Sequence, residues 1–313
     1  MRDLVDPALL PGLELMPALD LEEAYLPAIR EGMEQASGAM PEPVGTGVQW
    51  RDEQVPTPDG HAVPVRIYTP AGSGPWPAIL QIHGGGYIVG SVTTGHGMMM
   101  TLAASVEAVI ISVDYRLAPE TPAPGSVQDC YAALLWLVDQ SAQLGIDPSR
   151  IAVAGQSAGG GLAAALTLLA RDRGGPAIVH QNLTYPMLDD RTCVTPQPDH
   201  LGAFVWTPQA NSFGWRCLLG QEPGGTNVPP YAVPARAADL SGLPPAFITV
   251  GALDLFLAED LDYARRLIEA KVPTELHVYP GAYHGFDVMP DAPVSQRMKN
   301  DMTIALRRAL HGD

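Results

Sequence analysis

The chain has 313 residues, of which 46% are hydrophobic and 17% charged: enough apolar side chain for one large core and too little charge for a disordered polymer. With 34 acidic against 18 basic residues the formal net charge is −16, which excludes a protein that grips a phosphate backbone, so no nucleic-acid partner is expected. No uninterrupted apolar run reaches the ~18 residues of a membrane span. The N-terminus MRDLVDPALLPGLELMPALD has no basic segment ahead of a long apolar one, so no membrane partner and a cytoplasmic location are expected. Cys130, Cys193 and Cys217 lack CxxC or Cys/His ligand spacing and read as buried small hydrophobes, not as a disulfide framework or a zinc site.

Residues 1–46 carry spaced apolar positions (Leu15, Leu19, Tyr25, Leu26, Ile29, Met33) interrupted by Pro11, Pro17 and Pro27, which predicts short helices lying on other structure. From Val48 the pattern changes to period two, VQWRDEQV then HAVPVRIYTP, around the turn signal Pro58-Asp59-Gly60, and predicts an antiparallel hairpin. Six short apolar runs follow, at 78–84, 108–115, 151–155, 177–185, 246–251 and 275–280, with the composition of strands buried on both faces. Between and after them lie helical stretches at 96–105, from Ser126 as N-cap, after Ser157, from Ala258 and at about 294–310. This alternation predicts an α/β fold with an eight-stranded, mostly parallel sheet flanked by helices. The long interval 186–244 breaks the alternation and predicts an inserted helical lid. The expected organisation is thus N-terminal cap helices at 1–46, a catalytic core at 47–189 and 241–313, and a cap insertion at 190–240.

The chemistry concentrates at the ends of the predicted strands. Gly155-Gln156-Ser157-Ala158-Gly159 follows one strand and opens a helix, the setting in which G-x-S-x-G turns sharply and presents a serine as nucleophile. His83-Gly84-Gly85-Gly86-Tyr87 follows another; a glycine run lets backbone N–H groups approach a carbonyl oxygen that gains charge. Gly84 and Gly85 N–H, with Ala158 N–H, are the candidate oxyanion donors, and His83 reads as shaping the loop. A phosphate cradle is the competing use, but no accompanying Lys or metal-binding Asp is found. A serine needs a base and the base an orienting carboxylate, in the chain order Ser, acid, His. Asp254 and His284 occupy successive strand ends in that order. Asp189-Asp190 competes for the acid role. His61, His96, His180 and His277 read as structural, Glu259, Asp260 and Asp262 as a solvated or capping first turn, and Met98-Met99-Met100 as helix packing.

With HGGGY (83–87), DYRLAPE (114–120), GQSAGG (155–160), TYPMLD (184–189), GALD (251–254) and YHGF (283–286) in collinear order, the chain resembles the bacterial hormone-sensitive-lipase-like carboxylesterases of the α/β-hydrolase superfamily. The resemblance implies a serine carboxylesterase for short- to medium-chain esters, a small-molecule ester as partner, no cofactor or metal, and a homodimer formed through the last strand. It implies Ser157 as nucleophile, His284 as general acid/base and Asp254 as its orienter. It makes Asp114, Arg116 and Glu120 a structural polar core, and Tyr87, Tyr185, Phe204, Val205 and Trp206 pocket walls. Two departures stand out: Gln156 replaces the family's usual Asp or Thr before the nucleophile, and Leu255-Phe256-Leu257-Ala258 replaces Pro-Leu-Arg-Asp after the acid. Amide or lactone hydrolysis on the same triad, and a non-catalytic receptor of the same fold, are the alternatives.

Overall fold

The computed structural model describes residues 1–16 and 21–312, so the predicted positions Pro17 and Leu19 lie outside the described residues. In chain order the helices and strands are α1 (Gly12–Leu15), α2 (Leu26–Gly38), β1 (Gln49–Pro56), β2 (Ala62–Thr69), β3 (Trp76–Ile82), α3 (His96–Val106) and β4 (Val109–Val113). They continue with α4 (Gly125–Asp139), α5 (Ser141–Leu144), β5 (Ile146–Gln156), α6 (Ala158–Asp172), β6 (His180–Thr184) and α7 (Pro208–Leu219). The last are β7 (Ala246–Gly251), α8 (Leu257–Glu269), β8 (Thr274–Tyr279) and α9 (Pro293–His311).

The strands form one eight-stranded sheet in the order β1-β2-β4-β3-β5-β6-β7-β8. The hairpin pairs antiparallel from Gln49 opposite Thr69 to Pro56 opposite Ala62, β2 is antiparallel to β4, and all later pairs are parallel. Period-two side-chain alternation feeds a layer on each face. Leu80, Ile82, Ile111, Val113, Ile151 and Val153 pack with α4, α6 and α8, while Ile79, Ile110, Ala152 and Ala154 pack with α3 and α9. Among the described residues no helix is long and apolar enough to cross a membrane.

Helix α6 follows β5 after a single residue and is buried almost all round, as its run of Gly, Ala and Leu dictates. A Cβ on Gly161 would meet Met187 O at 2.2 Å and Tyr87 Oη at 2.5 Å, so only glycine lets this first turn lie so close to its neighbours. Above the sheet, Val5, Leu9 and Leu13 pack with Tyr185, Tyr283 and Phe286, and Leu26 of α2 packs with Ile88, Val89, Ala118 and Cys217. All three cysteines are free, Cys130 and Cys217 buried and Cys193 half-buried.

Four expectations are corrected. Ser126 is not an N-cap: the helix begins one residue earlier at Gly125 with no side-chain cap bond, because Gly125 N–H already donates to Pro122 O and Gln128 N–H to Pro124 O. The run at 275–280 is not buried on both faces, since β8 is the sheet edge and its Val278 is exposed. Glu259 and Asp260 are not a solvated first turn but are both buried, Glu259 accepting N–H bonds from Leu188 and Asp189 and the hydroxyl of Thr192. Burial pushes both carboxyls well above the usual carboxylate range.

Asp114, Arg116 and Glu120, finally, do not share one polar core. Asp114 accepts from Val92 N–H at 3.2 Å, and burial pushes its carboxyl up to about 6. Exposed Glu120 pairs with Arg30, and Arg116 forks onto fully buried Asp129 while its Nη1 donates to Asp59 at 2.9 Å. Asp129 was invisible in sequence because its partner lies 13 residues away on a loop packed over α4. Asp129→Ala leaves the Arg116 fork and the Arg116 backbone N–H without their acceptor, and should lower unfolding free energy by about 2 kcal/mol, read from the urea midpoint at unchanged slope.

Candidate active site

Strand β5 ends at Gln156, and Ser157 alone makes the turn into α6 with φ 55° and ψ −121°. The flanking glycines are steric necessities. A Cβ on Gly155 would lie 2.1 Å from Gly159 O, and one on Gly159 would lie 2.1 Å from Ile82 O. The turn is held by Ser157 N–H donating to Thr184 O at 2.9 Å and by Ser157 O accepting from Gly161 and Met187 N–H at 3.0 and 2.9 Å. A strained serine so over-determined by its surroundings is the signature of a built site.

His284, in the loop after β8, closes on this serine. Its Nδ1 lies 2.8 Å from Asp254 Oδ2 and its Nε2 2.9 Å from Ser157 Oγ. An ionised carboxylate only accepts, so the Nδ1 proton faces Asp254, and Nε2 is left to accept from the serine hydroxyl. Asp254 is fully buried and its other oxygen accepts from Phe256 N–H at 2.9 Å. Phe256 presents an edge to the imidazole at 5.1 Å between ring centroids, and Tyr185 another at 4.7 Å. The apolar residues after the acid therefore form one wall of the histidine's slot.

The glycine loop runs past the same serine. A Cβ on Gly84 would lie 3.4 Å from Ser157 Cβ, and Gly85, at φ +122°, has no room for one because Val89 O would be 2.0 Å away. Among the described residues no acceptor takes the N–H of Gly85 or of Ala158. His83 shapes the loop as expected: its Nδ1 donates to Gly84 O at 2.8 Å, and its ring stacks on Tyr115 at 4.3 Å. Burial holds its pKa down at about 4.

The five expected pocket walls divide. Tyr87 is corrected: it is fully buried, spends its hydroxyl on Met187 O at 2.8 Å and leans on Trp215, so it is a pillar under the loop. Tyr185 backs the histidine and donates to Asp287 Oδ1 at 2.6 Å. Phe204, Val205 and Trp206 are half-buried, the first two packed against the cluster that holds Tyr185 and Tyr283. Trp206 covers Gly86, where a Cβ would meet its ring at 2.2 Å, and its ring lies 6.2 Å from that of His284. Sequence reasoning missed Asn211, which is fully buried on α7 and accepts from Trp206 Nε1 at 3.2 Å. It also missed Asp287, which is defined only by what lies across the fold, and it marked Phe256 as part of the departure after the acid without its edge contact to the imidazole.

A family model described as the α/β-hydrolase fold matches residues 79–288. Esterase LipI of Mycobacterium tuberculosis is 34% identical over 315 residues, covering 98% of this chain and 96% of that protein. Carboxylesterase NlhH of the same organism is 36% identical over 252 residues, covering 80% and 79%. Among solved structures, a bacterial heroin esterase superposes with a TM-score of 0.92 at 39% identity, covering 99% of each chain. The chain belongs to the α/β-hydrolase fold family, in its hormone-sensitive-lipase-like branch.

Proposed function

We propose that this protein is a serine carboxylesterase that hydrolyses short- to medium-chain carboxylic esters through an acyl-enzyme. The observation that carries the reading is the unbroken hydrogen-bond chain Ser157–His284–Asp254 beside a glycine loop, all at the ends of the sheet strands. The names of the relatives, esterase and carboxylesterase, support an ester as substrate.

In this mechanism Ser157 Oγ attacks the ester carbonyl carbon as its proton passes to His284 Nε2. The carbonyl oxygen becomes an oxyanion held by the N–H groups of Gly84, Gly85 and Ala158, and the first-turn dipole of α6 adds to the field there. Asp254 stabilises the imidazolium without taking its proton. His284 then protonates the departing alkoxide, and the alcohol leaves the acyl-enzyme. Water, activated by the same histidine, attacks that acyl group and regenerates the serine. No cofactor or metal is required by these steps. Trp206 over Gly86, with its ring 6.2 Å from that of His284, and Tyr185 against the same imidazole support an acyl site walled by aromatic side chains.

Initial rates on p-nitrophenyl esters from acetate to palmitate test the reading. The expected result is a maximum among the short and medium chains, with activity lost in proportion to labelling of Ser157 by an organophosphonate. Faster turnover of long-chain triglyceride emulsions than of dissolved short esters would refute the chain-length assignment. An unlabelled Ser157 would refute the mechanism.

A further inference from the structure

The oxyanion loop is held from inside by Tyr87, Tyr115 and His83, but the segment that follows it is held from outside by α2. Arg30, in the middle of that helix, donates Nε to Ile88 O at 2.8 Å and Nη2 to Ala118 O at 2.9 Å. Its remaining N–H groups reach both carboxylate oxygens of Glu120, at 2.7 and 2.9 Å. The residues that carry the two carbonyls are tied to the loop by their neighbouring N–H groups: Ile88 and Val89 N–H both donate to Gly85 O at 3.0 Å, and Ala118 N–H donates to Tyr87 O at 2.9 Å. One turn later on the same face, Glu34 Oε2 accepts the hydroxyls of Ser91 and Thr93 at 2.8 and 2.7 Å. One turn earlier, Leu26 is buried against Ile88, Val89 and Ala118. Positions 26, 30 and 34 are four apart and form one stripe of the helix, so the docking face of α2 is given over to this segment.

We propose that Arg30 is a positioning residue for the oxyanion hole, and that docking of α2 through Arg30 and Glu34 fixes the Gly84–Gly85 donors on the tetrahedral intermediate. The proposal rests on the serine-esterase reading above. The ion pair with Glu120 is not what matters, since that carboxylate is 61% exposed and such a pair contributes little. The bridge between two backbone carbonyls does: only a planar fork with several donors spans Ile88 O, Ala118 O and a carboxylate at once. Oxyanion donors lose effect steeply when displaced, because they act on charge that exists only in the transition state.

The test compares Arg30→Ala, Arg30→Lys and Glu34→Ala with the unaltered protein. Active sites are counted by phosphonate titration, so that partial unfolding does not enter kcat. For Arg30→Ala, kcat per titrated site on p-nitrophenyl acetate should fall roughly ten- to a hundredfold with KM changed less than about threefold. The inhibition constant of a trifluoromethyl ketone, which forms the tetrahedral adduct on Ser157, should rise by the same factor. Arg30→Lys keeps the charge but not the fork and should recover only part of the loss. Glu34→Ala, which touches the segment further from the glycines, should lose less. Unchanged kcat and unchanged ketone affinity in Arg30→Ala would overturn the proposal, and so would a fall in kcat without a matching loss of ketone affinity. Should Arg30→Ala not fold, the same two readings on Arg30→Lys decide it. A Ser157 that resists phosphonate in the unaltered protein would overturn the esterase reading and this proposal together.

Discussion

Ser157→Ala should lower kcat on p-nitrophenyl acetate by about 10⁶-fold, leaving only what the oxyanion donors and substrate binding supply. The size follows from the geometry. Ser157 Oγ lies 2.9 Å from His284 Nε2, and among the described residues no other side chain hydrogen-bonds that nitrogen; the half-buried thiol of Cys193 accepts from Asn211 Nδ2 at 3.2 Å. Burial pushes that thiol up to about 12, so it holds no thiolate at neutral pH. The variant should fold normally, because alanine meets the same φ of 55° as serine and the backbone bonds to Thr184, Gly161 and Met187 do not involve the side chain. Initial rates on protein purified apart from the unaltered enzyme, with the thermal midpoint as control, check both statements. A variant within tenfold of the parent would mean that the serine is not the nucleophile.

Asp254→Asn should cost about 10⁴-fold in kcat, and the structure says why an isosteric change does so much. One carboxylate oxygen of Asp254 accepts from Phe256 N–H and the other faces His284 Nδ1. An asparagine must keep its carbonyl on the Phe256 N–H, since turning the amide would set donor against donor. Its NH₂ then faces Nδ1, which must become the acceptor, and the ring proton moves to Nε2. That nitrogen can no longer accept from Ser157. Because the geometry is retained while the tautomer is wrong, the loss should fall on kcat with the substrate KM near that of the parent, and phosphonate labelling should slow in parallel. Equal kcat in the two proteins would show that the carboxylate charge and the tautomer it sets are not needed.

Much of this site was legible along the chain because the candidate triad residues Ser157, Asp254 and His284 lie shortly after the ends of β5 (Gln156), β7 (Gly251) and β8 (Tyr279). A strand end in a parallel sheet is a fixed place, so Ser157, Asp254 and His284 could be assigned to one edge once six apolar runs were recognised. The glycines were legible for a steric reason: Gly155, Gly159 and Gly85 each occupy a spot where a Cβ would run into backbone, and that constraint is local enough to leave a motif. Glu259 and Asp260 misled because acids at a helix start ordinarily face water, whereas here both are buried and Leu188, Asp189 and Thr192 bond to Glu259. Tyr87 misled in the same way, its ring turning under the loop to meet Trp215 on α7, a helix more than a hundred residues on.

What the sequence by itself determined is the alternation of elements, the three candidate triad positions and the glycine loop, because those depend on period-two and period-3.6 patterning and on steric limits within a few residues. The partner of Arg116, the clamp of Arg30 on Ile88 and Ala118, the hold of Asn211 on Trp206 and the apolar slot around His284 were decided only by the tertiary structure. The Arg30 clamp joins residues 58 and 88 positions apart, as read from its bonds to the two carbonyls. A side chain with several donors leaves no local trace of which acceptor it will meet. That choice is made when the N-terminal helices and the segment before β7 close over the strand ends and bring distant backbone within reach.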